Sequence, residues 1–431
     1  MEKFVIQGGA PLSGEVSVAG NKNAALPILA ACLLTEEEVL LHRVPRIRDT
    51  EAQIALLEQL GVEAAWIGDN SVRLCAAGVT APVVDEELSS QIRASFLLAG
   101  PLLARFGEAK MPPPGGDFIG RRRLDPHLDA FRDLGARIDG SRWIELSAPT
   151  GLCACDIFMD EPSVMGTENA LMAAALIPGR TEISNAACEP HVQDLARLIT
   201  AMGAEVEGIG SNVMVVNGQA SLGGAEFTIC PDHIEVGSFM ALAAATGGEL
   251  RIRDAGPKDL RNVRRQFRRL GLNSEVQGED VIVPAGQKLE IEPDLGGAIP
   301  KIEDGPWPAF PADMTSIALA LATQADGEIL IFEKMFENRL FFVDKLVAMG
   351  ARITLCDPHR AIVSGPGRLH GERVESPDIR AGMAMLIAAL AAEGTSEIGN
   401  IRQIDRGYEQ IDERLRALGA QIERVSAEVP A

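Results

Sequence analysis

The sequence predicts an α/β fold assembled from six similar units. Three observations predict it: a glycine phrase that returns six times along the chain, an alanine-rich apolar run in step with it, and short strand-like stretches around both.

The glycine phrase reads Leu60-Gly61-Val62, Leu134-Gly135-Ala136, Met202-Gly203-Ala204, Leu270-Gly271-Leu272, Met349-Gly350-Ala351 and Leu418-Gly419-Ala420, a spacing of about 70 residues. Each copy follows an amphipathic run and precedes a strand-like one such as Arg137-Ile138 or Arg352-Ile353-Thr354. A helix that ends in a left-handed cap and turns into a strand requires glycine there, because only glycine adopts that conformation without a Cβ clash.

The apolar runs begin near Asn23, Ala94, Glu168, Val236, Met314 and Ala381. Runs such as Ile317-Ala318-Leu319-Ala320-Leu321-Ala322 are apolar all round, the mark of helices buried on every side. Each unit therefore reads as strand, buried helix, strand, amphipathic helix, glycine turn and two closing strands. Between Gly203 and Val216, Ser211-Asn212 supplies the hairpin turn. Such an array is either a solenoid or a closed symmetric fold, and a period near 70 is long for a solenoid. Leu12-Ser13-Gly14 resembles Leu222-Gly223-Gly224 and Leu369-His370-Gly371, which draws the first strand into the same repeat.

Composition narrows the function. A chain of 431 residues, 46% hydrophobic and 23% charged, is long enough for two or more cores. Its formal net charge of −21 argues against nucleic acid, whose phosphates are met by basic surfaces. The start Met1-Glu2-Lys3-Phe4-Val5 lacks the basic and apolar regions of a signal peptide, and no stretch of ~20 residues is apolar throughout. The expectation is a cytoplasmic protein without a membrane partner. Seven scattered cysteines lack zinc-type spacing; Cys153-Ala154-Cys155, in a strand-like stretch, has no second pair to complete a tetrahedron. No metal and no cofactor are expected, and no Walker or dinucleotide motif is present.

Chemistry concentrates where the buried helices begin. Lys22-Asn23 opens the first, Arg93 the second, Thr167-Glu168-Asn169 the third, Glu235 the fourth, Asp313 the fifth and Arg380 the sixth. A cation at a helix N-terminus opposes the dipole, at a cost of about 0.3–1 kcal/mol, unless an anion sits beside it. Three such cations point to an anion site, with solvated surface charge as the bland alternative. Asp313, after Pro308-Ala309-Phe310-Pro311-Ala312, reads either as a helix cap or as a catalytic carboxylate. The loop Met111-Pro112-Pro113-Pro114-Gly115-Gly116-Asp117-Phe118-Ile119-Gly120-Arg121-Arg122-Arg123 suits neither helix nor strand, and reads as a cationic lid or a solvated turn.

Five phrases in one order carry a family resemblance: Gly20-Asn21-Lys22-Asn23-Ala24-Ala25-Leu26-Pro27, Pro114-Gly115-Gly116-Asp117 with Gly120, Pro308-Ala309-Phe310-Pro311-Ala312-Asp313-Met314, Phe336-Glu337-Asn338-Arg339, and Asp405-Arg406-Gly407-Tyr408-Glu409. Over essentially its whole length the chain resembles the enolpyruvyl transferases, in the branch whose acceptor is UDP-N-acetylglucosamine. The resemblance implies an inside-out α/β barrel of six βαβαββ repeats in two domains. One spans 22–230 and carries the lid loop; the other combines 1–21 with 231–431; substrates enter a cleft between them. It also implies transfer of the enolpyruvyl group of phosphoenolpyruvate to the sugar 3-hydroxyl, with release of phosphate, by addition and elimination in the first committed step of peptidoglycan synthesis. The other readings are an acceptor such as shikimate 3-phosphate or another nucleotide, and a non-catalytic paralogue.

By the same resemblance Lys22, Arg122 and Arg406 are the phosphate-binding cations, with Lys22 and Arg406 also catalytic. Arg93, Arg339 and Arg380 line the phosphoenolpyruvate site with Asn23. Asp313 contacts the sugar hydroxyl as candidate base, and Asn23, Arg93, Arg122, Ser163, Val164 and Phe336 hold the nucleotide-sugar. Asp117 stands where the common family residue is a cysteine, the target of fosfomycin, which implies insensitivity to that epoxide. A carboxyl is ordinarily ionised at neutral pH whereas a thiol is mostly protonated, so the swap changes the acid on offer. Glu161 stands near where the family often has a lysine facing the diphosphate, Met165 replaces a small residue, and His191 is a third, lesser departure.

Overall fold

The computed structural model describes residues 2–140 and 142–426. Met1 and residues 427–431, which the sequence reading assigns to the second domain, lie outside them. The chain divides into two compact units, one of Met1–Ala19, Phe118–Arg121 and Pro231–Ala431, the other of Gly20–Asp117 and Arg122–Cys230.

Six sheets carry the repeat. Five share one order: a first strand parallel to a second, the second antiparallel to a third, the third antiparallel to a fourth. Lys301–Glu303, Gly327–Phe332, Arg360–Gly365 and Ile353–Asp357 show it, in that order. The sixth sheet has three strands, Glu108–Met111, Ile144–Ser147 and Arg137–Asp139, and an isolated parallel bridge from Val83 to Lys110 stands in the place of its first.

Two sheets are completed from a distance in sequence. Glu2–Gln7 is the third strand beside Thr395–Gly399 and Gln421–Ser426, and Ala225–Thr228 runs parallel to Glu38–His42. Strand burial alternates, as in Val213–Gly218 and Arg360–Gly365, so each sheet turns one face to the core.

The six inner helices are α1 (Lys22–Ala31), α2 (Ala99–Phe106), α3 (Val164–Ala175), α4 (His233–Thr246), α5 (Thr315–Ala322) and α6 (Ile379–Ala391). In one unit α4, α5 and α6 pack on one another; in the other α2 packs on α3. Their many alanines let backbones approach closely, and α5 is buried along its whole length. Asn21, Ser163, Asp232 and Asp378 cap α1, α3, α4 and α6 through side-chain acceptors, each worth about 1 kcal/mol. All six phrase glycines have positive φ, from 82° at Gly271 to 113° at Gly203, as the cap geometry requires.

Some local readings are corrected. Helix α3 starts at Val164, so Glu168 lies in its second turn rather than at its entrance, whereas Glu235 lies in the first turn of α4, which starts at His233. Pro162 with the Ser163 cap, and Pro231 with the Asp232 cap, set those starts. Short 3₁₀ turns, Arg93–Leu98 and Ala312–Met314, precede α2 and α5. Residues 151–155 form no strand; the strand begins at Asp156.

Candidate active site

In the unit that holds α4, α5 and α6, the sequence-predicted residues Asp313, Arg339 and Arg380 meet. Asp313 sits in the 3₁₀ turn ahead of α5, and the cap positions of that turn and of α5 are Pro311 and Met314. Its carboxylate is turned to two guanidiniums: Arg339 Nη2 donates to Oδ1 at 2.8 Å, and Arg380 donates to Oδ2 through Nε at 3.1 Å and Nη2 at 3.0 Å. The arginine side chains are 3% and 4% exposed and the carboxylate 28%, so the cations are buried while one edge of the acid stays open. Removing either partner would strand a buried charge, which is what fixes this geometry.

Second contacts hold each arginine. Asp378 caps α6 by accepting the Arg380 and Ala381 N–H groups, and Arg380 Nη1 donates to the Tyr408 hydroxyl at 3.3 Å, its guanidinium over the tyrosine ring. Tyr408 is bonded in turn to Ser238 on α4 at 3.0 Å. Burial opposes the Arg339 charge, yet Asp313, Asp378 and Glu333 together hold its pKa above the ordinary arginine value. Buried His233 stands beside Arg380 and Asp313, and desolvation with the Arg380 charge pushes its pKa down to about 4. Phe336 lies in the turn leading to Arg339, whose guanidinium is 5.4 Å from the ring centroid. Arg406 ends the 3₁₀ turn Ile401–Arg406 and donates to Gln403 Oε1 at 2.8 Å. The loop tip belongs to this unit as well: Asn338 N–H donates to Ile119 carbonyl and Arg121 N–H to Glu337 Oε2.

In the other unit Lys22 opens α1 and pairs with Asp49 at 2.8 Å, both buried, with half-buried Asn23 beside it. Arg93 Nη2 donates to the Arg122 carbonyl at 2.5 Å, and its buried Nε has no partner. Burial and then the Arg122 charge push the Arg93 pKa down to about 10. Two cations so close form a site that an anion would relieve. The loop reaches them because its glycines allow it: a Cβ on Gly116, at φ 103°, would lie 2.8 Å from Arg93 Cβ, and Gly115 packs on the Ser90 carbonyl. Half-buried Asp117 follows directly. Ser163 accepts the Gly166 N–H as the α3 cap, with Val164 as the first helical residue.

The entrance cations thus differ from a simple anion trap. Lys22 and Arg380 already face protein carboxylates, Asp49 and Asp313, whereas Arg93 faces a carbonyl and a second arginine.

A model of the EPSP synthase (3-phosphoshikimate 1-carboxyvinyltransferase) family matches residues 6–415. The chain belongs to this family. Three curated relatives are named UDP-N-acetylglucosamine 1-carboxyvinyltransferase: from Bradyrhizobium diazoefficiens, 58% identical over 98% of both chains; from Treponema denticola, 52% identical over 98% of this chain and 99% of the relative; and from Borreliella burgdorferi, 48% identical over 99% and 100%. Among solved structures, the enolpyruvyl transferase NikO from Streptomyces tendae superposes with a TM-score of 0.88 at 24% identity, and an EPSP synthase from Acinetobacter baumannii with 0.76 at 18%, covering 99% of this chain in each case and 99% and 100% of those chains. Both share the fold, as the repeat and the resemblance lead one to expect.

Within this EPSP synthase family member, sequence reasoning passed over His127. It is buried edge-on to Phe96, and its Nδ1 accepts from Asn169 Nδ2 at 2.8 Å, which fixes the neutral tautomer with the proton on Nε2. Desolvation, then Arg93 and Arg122, push its pKa down to about 3. The signal available was a histidine two residues after Asp125, the acid that opens the helix Asp125–Asp133. Glu161, the acid where a lysine is common, lies 3.8 Å from Arg123, which also holds Asp160 at 2.9 Å and Asp125 at 3.3 Å. Three carboxylates therefore share one arginine at that place.

Proposed function

We propose that the protein is a UDP-N-acetylglucosamine 1-carboxyvinyltransferase, moving the enolpyruvyl group of phosphoenolpyruvate to the sugar 3-hydroxyl and releasing phosphate, a step of peptidoglycan synthesis. One observation carries the reading: a partly open carboxylate, Asp313, gripped on each oxygen by a buried arginine. Relatives of that name at 58% and 52% identity over nearly the full chain support it.

The chemistry follows from the residues. The open edge of Asp313 takes the proton of the attacking hydroxyl, and the planar forks of Arg339 and Arg380 offer donors to phosphate and carboxylate oxygens. Lys22, Arg93, Arg122 and Arg406 stabilise charge on the phosphate as it leaves, with Lys22 and Arg406 acting on the reacting group itself. Asn23, Ser163, Val164 and Phe336, with Arg93 and Arg122, hold the nucleotide-sugar. Asp117 delivers the proton to the methylene carbon. Phosphate then leaves the tetrahedral adduct as its C–O bond breaks, and a methyl proton returns to the Asp117 carboxylate, which restores the double bond and the protonated acid.

Among the described residues no helix is long and apolar enough to cross a membrane. We place the protein in the cytoplasm, where both substrates are made. The deciding experiment is phosphate release from phosphoenolpyruvate with UDP-N-acetylglucosamine and with shikimate 3-phosphate. Release with the sugar nucleotide alone is the expected result; release with shikimate 3-phosphate alone would replace this acceptor, and release with neither would leave a binding protein.

A further inference from the structure

Glu333, just past the strand Gly327–Phe332, is fully buried and has no place in the chemistry above. Its Oε1 accepts the Phe336 N–H at 3.1 Å, and Oε2 has no hydrogen-bond partner. Beside it Asp304, also buried, accepts the N–H groups of Lys334 and Met335, so two acids hold successive amides of one turn. That turn ends at Arg339. Its buried Nε has no partner, while Nη2 is committed to Asp313. Thr315 at the start of α5 also stands beside Glu333, and His359 Nδ1 meets the Glu333 main-chain carbonyl at 2.7 Å.

The charge count in this pocket is unbalanced. Asp232, Asp304, Asp313, Glu333 and Asp378 are five acids around two cations, Arg339 and Arg380, and Asp232 is met by the Ile234 and Glu235 N–H groups. Asp313 has both guanidiniums, and Asp304 and Asp378 are met by backbone N–H groups. Glu333 alone would bury an ionised oxygen without a donor, a cost that a bound proton removes.

We infer that Glu333 is a positioning residue for the Asp313–Arg339 pair: it keeps its proton at neutral pH, braces the Phe336–Arg339 turn, and leaves Arg339 wholly to Asp313. Burial first, with Asp304 added, pushes its pKa up to about 8 against the pull of Arg339. Above that pH the proton passes to solvent and a second carboxylate competes for Arg339, so the pair loosens.

The inference rests on the function proposed above, and its test separates the two. In kcat/KM for phosphate release, the parent is expected to show an alkaline limb near pH 8 that Glu333→Gln lacks; the ratio of variant to parent then rises about tenfold between pH 7 and 9. A ratio flat across that range overturns the inference. Infrared difference spectra, taken without substrates, should show a protonated carboxyl band in the parent that bleaches over the same range and is missing from Glu333→Gln. Absence of that band overturns the inference whatever the activity, whereas a bleaching band without phosphate release for any acceptor sinks only the proposed function. Should Glu333→Gln not fold, Asp304→Asn serves: losing the neighbouring acid must move the bleaching to lower pH, and an unmoved band refutes the pairing.

Discussion

Replacing Asp313 with alanine strips the shared carboxylate from two guanidiniums that are 3% and 4% exposed. Breaking a buried ion pair from one side costs about 3–5 kcal/mol, and Asp313, at 28% exposure, places the loss near the lower end, ~3 kcal/mol. The unit concerned has about 220 residues, for which each kcal/mol lowers the melting temperature by roughly 2–4 °C, giving a drop of about 6–12 °C. The vacated arginines then present an anion site, and inorganic phosphate at a hundred times its dissociation constant should restore about 2.7 kcal/mol. Turnover should fall by ~10²–10⁴, the usual contribution of a positioned base, without a matching rise in KM for phosphoenolpyruvate. Scanning calorimetry with and without phosphate, beside a phosphate-release assay, measures all three. Turnover within threefold of the parent would remove Asp313 as base; a variant as stable as the parent without phosphate would show that the carboxylate does not hold the arginines.

Acid should destabilise the protein through His127. Its folded pKa lies below the ordinary value near 6.5, so its contribution is present above about pH 6.5 and is lost as pH falls toward 3, on the order of 5 kcal/mol. Urea midpoints of His127→Gln should therefore fall less than the parent's between pH 7 and 4, and nitrogen NMR should find the His127 ring neutral across that range. Asp117→Cys introduces a thiolate nucleophile into the glycine loop, so fosfomycin should give that variant a single mass adduct and leave the parent unmodified; an adduct on the parent would contradict the assignment of position 117.

The repeat was legible because its signals are obligatory. A left-handed cap after each amphipathic helix admits little but glycine, and a helix enclosed on every side admits little but small apolar residues, so Gly61 through Gly419 and the alanine runs announce the architecture. Side chains that meet through tertiary packing left no such trace. Asp49 reads as one more acid in the helix Arg48–Leu60, and nothing in its spacing names Lys22 as its partner. Glu333 reads as a polar residue closing a strand, although the turn after it folds back and buries it. Asp313 was balanced between cap and catalyst, and only the direction of its carboxylate, toward Arg339 and Arg380, distinguishes them.

The strand Glu2–Gln7 leaves the ribosome well before the strands it pairs with, Thr395–Gly399 and Gln421–Ser426. The unit Gly20–Asp117 with Arg122–Cys230 has all three of its sheets once Thr228 has been made, while the other must wait for about 200 more residues, ~10–40 s at ordinary rates of synthesis. Through that interval the N-terminal strand is a free edge able to pair with a neighbouring chain. Biogenesis is therefore sequential, with the Lys22 half assembled long before the Asp313 half, and translation slowed or halted between residues 231 and 421 should leave a folded first unit on an aggregation-prone remainder.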